Sequence, residues 1–246
     1  MQAAAQSKRS EKPGQRVIIA LRKMIASGEL QAGQRIAEIK TAETLSVSRM
    51  PVRMALLRLE REGLVARLGA RGYAVRGVSP AQIIGAIDVR GALEGLAARQ
   101  AAERSLDRAA ERVLRHCLEV GDALFSNGRL VEGDLDRYHA FNRQFHSAIV
   151  KASGNPAIEI ALAHVEGLPF ASASALALDA ADLEEEYRHL SKAHRQHHTV
   201  FEAILERAGE RAETLMRDHA RAAIRNVKVF EGLFNSVSAM RLIGGD

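Results

Sequence analysis

From Pro80 to Leu233 apolar residues recur three and four positions apart, and no alternating strand pattern interrupts the series. Helix-on-helix packing is then the only architecture open to the larger part of the chain, because an apolar helix stripe with no sheet beside it must be buried against other helices. Ile84, Ile87, Leu93, Leu96 and Ala97 trace one helix after Ser79-Pro80, with Arg90 and Glu94 four positions apart on a shared face. Further helices are predicted over 106–127, 135–153, 157–168, 183–207 and 210–233, while the alanine-rich 171–181 suits either helix or loop. The expectation is an antiparallel all-α bundle over residues 80–234, followed by a tail at 235–246.

The first 78 residues are chemically different: they hold 15 Lys and Arg against 6 Asp and Glu, a net of +9, whereas the rest of the chain carries −4 and all nine histidines. A basic segment attracts polyanions through phosphate contacts and counterion release, which makes this part the candidate nucleic-acid module; a solvated basic face would carry the same charge. Residues 1–13 lack apolar periodicity and read as a flexible arm. The apolar stretch Val17 to Ala26 contains Arg22 and Lys23, which excludes a signal-peptide core or a membrane span there. Cys117 stands alone, so no intrachain disulfide framework can form, and a reducing, cytoplasmic setting is expected.

Val17, Ile18, Leu21, Met24 and Ile25 predict a helix that ends near Ser27, and Ile36 to Thr44 a second, shorter one. Ser48 is the predicted N-cap of a third helix. Pro51 falls in its first turn, where the missing N–H removes no intrahelical bond, and Val52, Leu56 and Leu59 form its buried stripe up to the stop at Gly63. Arg49 and Arg53 lie on the opposite face near the helix start. An arginine in that position on a major-groove helix can contact guanine O6 and N7 bidentately. Leu64 to Leu68 and Gly72 to Arg76 flank Gly69-Ala70-Arg71 as a two-stranded wing whose Arg71 is placed to reach the minor groove. The sum is a winged helix-turn-helix over residues 14–77; the bland alternative is a small helical packing module with incidental arginines.

The run Ser48-Arg49-Met50-Pro51-Val52-Arg53-Met54-Ala55-Leu56, with Leu59, Glu60, Glu62, Gly63, Leu64 and Val65 behind it, resembles the DNA-binding domain of GntR-type bacterial transcription regulators. Gly28-Glu29-Leu30, Ala32-Gly33 and the wing pair Arg71-Gly72 fit the same pattern. The resemblance implies Ser48, Arg49, Met50, Pro51, Arg53, Arg71 and Gly72 as the DNA-contacting set on double-stranded operator DNA, bound by a homodimer. Met50 stands where the family usually has Thr or Ser, and Met54 where it usually has Glu, so no operator sequence carries over.

In the bundle, Asn142 and His146 are four residues apart on one helix face, and antiparallel packing can bring His197 and His219 beside that face. Three imidazoles and one amide oxygen suit a borderline divalent cation, zinc first and nickel second, although a partly buried histidine is more often a hydrogen-bonded core residue. Arg90-Gly91-Ala92-Leu93-Glu94, Asn142-Arg143-Gln144-Phe145-His146, Gly154-Asn155, His197 ahead of Val200 to Ile204, and Met216 to His219 look like the all-helical FCD ligand-binding domain of the FadR branch of that family. The resemblance implies metal ligation by Asn142, His146, His197 and His219 and a small organic acid as effector; the effector carboxylate is then expected to complete the metal shell, with Arg90 as a second clamp. His116, His139, His164, His189, His194 and His198 read as surface or packing residues, with His194 and His198 ambiguous because they flank His197.

The function expected is a ligand-responsive transcription regulator, a repressor of a metabolic operon. Its rival is a metal-dependent hydrolytic enzyme with a nucleic-acid-binding appendage, since open positions on a histidine-bound metal can activate water. No carboxylate in the matched set serves as general base, and no His-Glu-x-x-His, Gly-x-Ser-x-Gly or Walker-type loop occurs, so no enzymatic activity and no membrane partner are expected.

Overall fold

The computed structural model describes residues 13–26, 28–69, 72–77, 80–131, 133–165, 168 and 183–225. Positions 1–12 of the expected arm, Arg71 at the wing tip, the segment 171–181, the end of the last predicted helix at 226–233 and the tail lie outside them.

The N-terminal head consists of α1 (Pro13–Ala26), β1 (Arg35–Ile36), α2 (Glu38–Thr44), α3 (Arg49–Arg61), β2 (Val65–Arg67) and β3 (Tyr73–Val75). Val17, Leu21 and Ile25 of α1 bury against Val52, Leu56 and Leu59 of α3, each of the latter fully enclosed. Arg35 and Ile36 differ from the helical reading of Ile36 to Thr44: they pair antiparallel with β3, Arg35 opposite Ala74 and Ile36 opposite Tyr73, so the wing sheet has three strands in the order β1-β3-β2. Pairing decides the matter, because it seats Ile36 in the core while Ile39, the other half of the expected helical stripe, stays 56% exposed. Ser48 occupies the N-cap position of α3 with extended backbone, but its side chain makes no capping hydrogen bond. Gly72 takes φ +96°, and a Cβ there would sit 3.1 Å from the Ile36 carbonyl oxygen, so the wing needs glycine for both reasons.

The body consists of α4 (Pro80–Arg104), α5 (Arg108–Phe125), α6 (Asp134–Ala152), α7 (Pro156–Val165), α8 (Leu183–Leu205) and α9 (Gly209–Arg225). Asp107 caps α5 by accepting from the Ala110 N–H at 2.7 Å. Leu114, Phe145, Ile149, Val200, Ile204 and Met216 form the centre of the bundle core. Cys117 is buried in the same core and burial pushes its thiol up to about 11, so it packs and is no nucleophile.

Head and body are not separated by a hydrophobic gap. Ile83 and Ile87 from the start of α4, and Ala220 from α9, are buried in the core of the head together with Val52 and Leu56. Alongside, α4 and α9 are tied by Arg221 Nε to Asp88 Oδ1 at 2.8 Å and by Arg99 Nη1 to Glu213 Oε2 at 3.5 Å. Among the described residues no helix is long and apolar enough to cross a membrane.

Candidate nucleic-acid interface and candidate metal centre

The buried stripe of α3 turns its other face outward. Arg49 and Arg53 have side chains 60% and 50% exposed, and Met50 and Met54 beside them are 63% and 57% exposed. One contact was invisible to sequence reasoning: both arginines converge on Glu38 at the start of α2. Arg53 Nη2 donates to Glu38 Oε2 at 3.0 Å, with its Nε 3.2 Å from both carboxylate oxygens, and Arg49 Nη2 lies 3.8 Å away. The Arg53 hydrogen bond holds the Glu38 carboxyl below the usual carboxylate range, so Glu38 is ionised and offsets the positive charge of Arg49 and Arg53. Glu38→Gln is expected to tighten binding to random-sequence duplex and to steepen its salt dependence by about one unit of log–log slope. Fluorescence anisotropy across a salt series measures both; an unchanged slope would place Glu38 outside the interface.

In the body, His146 of α6, His197 of α8 and His219 of α9 come together, with one ring nitrogen from each within 4.8 Å of the others. His197 Nε2 and His219 Nε2 are 3.2 Å apart. His197 is fully buried and its ring lies 4.5 Å from that of Phe145, which fixes its plane. Asn142, one turn before His146, is buried on the same helix. Burial, then the neighbouring His146 charge, pushes the His219 imidazole down to about 3, and burial likewise drives His197 well below its ordinary value, so both rings are neutral at pH 7.

Glu94 and Gln196 lie against two of these rings, and neither was in the expected ligand set. Glu94 Oε1 lies 3.2 Å from His146 Nδ1, and Gln196 Oε1 lies 3.0 Å from His219 Nδ1. Burial raises the Glu94 carboxyl, but His146 and Arg90 more than offset it and hold it ionised. An Nδ1–H given by His219 to Gln196 turns the His219 Nε2 lone pair toward His197, the arrangement that supports histidine as a metal ligand. Both ring nitrogens of His146 are buried with no hydrogen-bond partner among the described residues, whereas a hydrogen-bonded core histidine would have one. Two imidazole nitrogens on one tetrahedral zinc stand about 3.3 Å apart, close to the His197–His219 spacing. The donor set therefore fits a borderline divalent cation.

Arg90 is the other anomaly. It is 4% exposed, its Nε is 3.8 Å from Glu94 Oε2, and both Nε and Nη1 are buried without a hydrogen-bond partner among the described residues. Sequence reasoning paired Arg90 with Glu94 by spacing and expected Arg90 near the effector, but it gave Glu94 no place beside the histidine cluster.

A winged helix-turn-helix head on an all-helical body with a buried histidine cluster defines a DNA-binding regulator with a sensing domain. The chain matches the family model "Bacterial regulatory proteins, gntR family" over residues 13–75 and the FCD domain model over 86–222, and it belongs to the FCD-containing GntR regulators. It is 30% identical to an HTH-type transcriptional regulator in an unstable DNA locus of Streptomyces ambofaciens, covering 86% of this chain and 84% of that one. It is 28% identical to a probable D-xylose utilization operon transcriptional repressor of Paenarthrobacter nicotinovorans, over 80% and 81% of the two chains. It is 27% identical to the Glc operon transcriptional activator of Escherichia coli strain K12, over 86% and 87%. The fold is shared with Lar, which controls the agr system of Listeria monocytogenes, at a TM-score of 0.57 and 17% identity, over 89% of this chain and 98% of that one. The family and these relatives are transcription regulators, not enzymes, which removes the hydrolase reading.

Proposed function

We propose that the chain is a homodimeric, cytoplasmic repressor of a metabolic operon, released when a small carboxylate binds beside a divalent metal, zinc or nickel, in the body. The observation that carries this reading is Arg90, a buried guanidinium with two unmatched donor atoms next to the histidine cluster, because a carboxylate is the ligand that would satisfy it bidentately. Asn142, His146, His197 and His219 would hold the metal, which supplies positive charge for the effector carboxylate. Asn142 adds no negative charge, so the effector completes the charge balance that an aspartate would otherwise provide. Coupling to the head has a short path: Ile87 in the head core is three residues before Arg90 on α4, and Ala220 directly follows His219 on α9. A shift of either helix at the effector site moves side chains embedded in the head.

On DNA, the Arg49 and Arg53 face of α3 enters the major groove, Ser48, Pro51 and the wing at Arg71-Gly72 meet the backbone or minor groove, and exposed Met50 and Met54 offer apolar contact to thymine methyl groups. Selection of duplexes from a randomised pool supplies the target for the test. Pseudo-palindromic sites are expected, and Arg49→Ala is expected to weaken binding to them by about 1–3 kcal/mol while leaving random duplex nearly unchanged. Equal loss on both would reassign Arg49 to phosphate. Addition of zinc with a panel of organic acids is expected to lower affinity for the selected duplex; constant affinity across the panel would remove the sensing role.

A further inference from the structure

α8 has a second histidine face. His194 and His198 are four residues apart and both reach Asp122 on α5. His194 Nε2 lies 2.9 Å and His198 Nε2 2.8 Å from the same carboxylate oxygen, Asp122 Oδ1, and the two Nε2 atoms are 3.3 Å apart. If both rings donate to that oxygen, each Nε2 carries a proton, and two N–H groups then crowd each other at a distance where neither accepts. One cation in place of both protons relieves this. The 3.3 Å spacing equals the edge of about 3.3 Å expected for two imidazoles on one tetrahedral zinc, and it matches the 3.2 Å between His197 and His219.

The site is built rather than incidental. His194 is 3% exposed, its ring packed 5.5 Å from that of Phe125 and 5.7 Å from that of Phe141. Gly121 makes room for it: a Cβ at Gly121 would stand 2.2 Å from His194 Cε1, so a side chain at that position on α5 would displace the imidazole. The side chains of Asp122 and His198 are 57% and 36% exposed, so the outer side stays open to water or a further ligand.

We infer that Asp122, His194 and His198 form a second divalent-cation site, of zinc, nickel or cobalt class, that bridges α5 and α8 independently of the His146–His197–His219 cluster. Three protein ligands with an open position and one buried, ring-packed histidine distinguish it from a chance surface pair.

The test uses the full chain without an affinity tag, stripped by chelator and desalted, then titrated with Co²⁺ and Zn²⁺ by ligand-field absorption and calorimetry. Two ions per chain are expected for the unmodified protein, and one each for His198→Ala and Asp122→Asn, both at exposed or half-exposed positions that tolerate substitution. Gly121→Ala should lose the same ion by moving the His194 ring. His146→Ala should also bind one ion, and that ion should vanish when His198→Ala is added. If His198→Ala and Asp122→Asn leave the stoichiometry and isotherm of the unmodified protein unchanged, the trio is a hydrogen-bonded cluster and the inference is overturned. A single ion that survives His146→Ala but not His198→Ala would uphold this site while refuting the proposed metal at the other cluster.

Discussion

Glu62→Ala is expected to destabilise the head by about 3–5 kcal/mol, the cost of leaving a buried charge without its partner. Arg22 of α1 is only 3% exposed, and its Nε and Nη2 reach the Glu62 carboxylate at the end of α3 at 3.1 and 2.6 Å. Arg58 adds a contact to the same carboxylate at 3.0 Å from a side chain 39% exposed. The two contacts should separate cleanly in urea unfolding: Arg58→Ala costs no more than about 1 kcal/mol because water screens it, whereas Glu62→Ala strands the Arg22 guanidinium. The paired replacement Arg22→Met with Glu62→Leu is expected to return most of the stability, since it removes both charges together. A loss below about 1 kcal/mol for Glu62→Ala would mean that Arg22 finds water in the variant. Binding to the selected duplexes should fall in parallel, because this ion pair ties α1 to the end of the helix that carries Arg49 and Arg53.

His197→Gln is expected to weaken zinc binding at the body cluster at least about 100-fold, the upper end of the cost of losing only a supporting contact to a ligand. Glutamine keeps a polar side chain of similar reach in the pocket beside Phe145 while removing the ring nitrogen, so the loss reads ligation rather than packing. The measurement is made in the His198→Ala background, where a single class of site remains to be titrated. In that background the metal-induced rise in melting temperature should also disappear, because an ion that binds only the folded state at 100 times its Kd contributes about 2.7 kcal/mol. An unaltered isotherm would exclude His197 as a ligand.

The parts of this protein that were legible in its sequence are those where one helix carries the signal. The stripe Val52, Leu56 and Leu59 gave the orientation of α3 and thereby put Arg49 and Arg53 outside. His146 was singled out by its place one turn after Asn142, and the family pattern supplied His197 and His219 from other helices. β1 was not legible because a two-residue strand has no period, and Ile36 reads equally well as the start of a helical stripe. Glu38 could not be foreseen either: its link to Arg53 spans fifteen positions and two helices that meet at an angle no local pattern encodes. Asp122 is the same case on a larger scale. His194 and His198 are visible as a helical pair, but the carboxylate that gives them chemistry comes from 72 and 76 positions upstream. The residue that makes the approach feasible, Gly121, looks in sequence like a minor defect in α5.

Because Ile83, Ile87 and Ala220 are embedded in the hydrophobic interior of the head, the molecule is not two beads on a string. A recombinant fragment ending before Pro80 would expose the surface those three side chains cover, and a chimera grafting this reader onto a foreign sensor should be spliced beyond Ile87, with its own α9 partner retained. Evolution faces the same restriction when it reshuffles sensors: a new body can be accepted only if its first and last helices still plug the head.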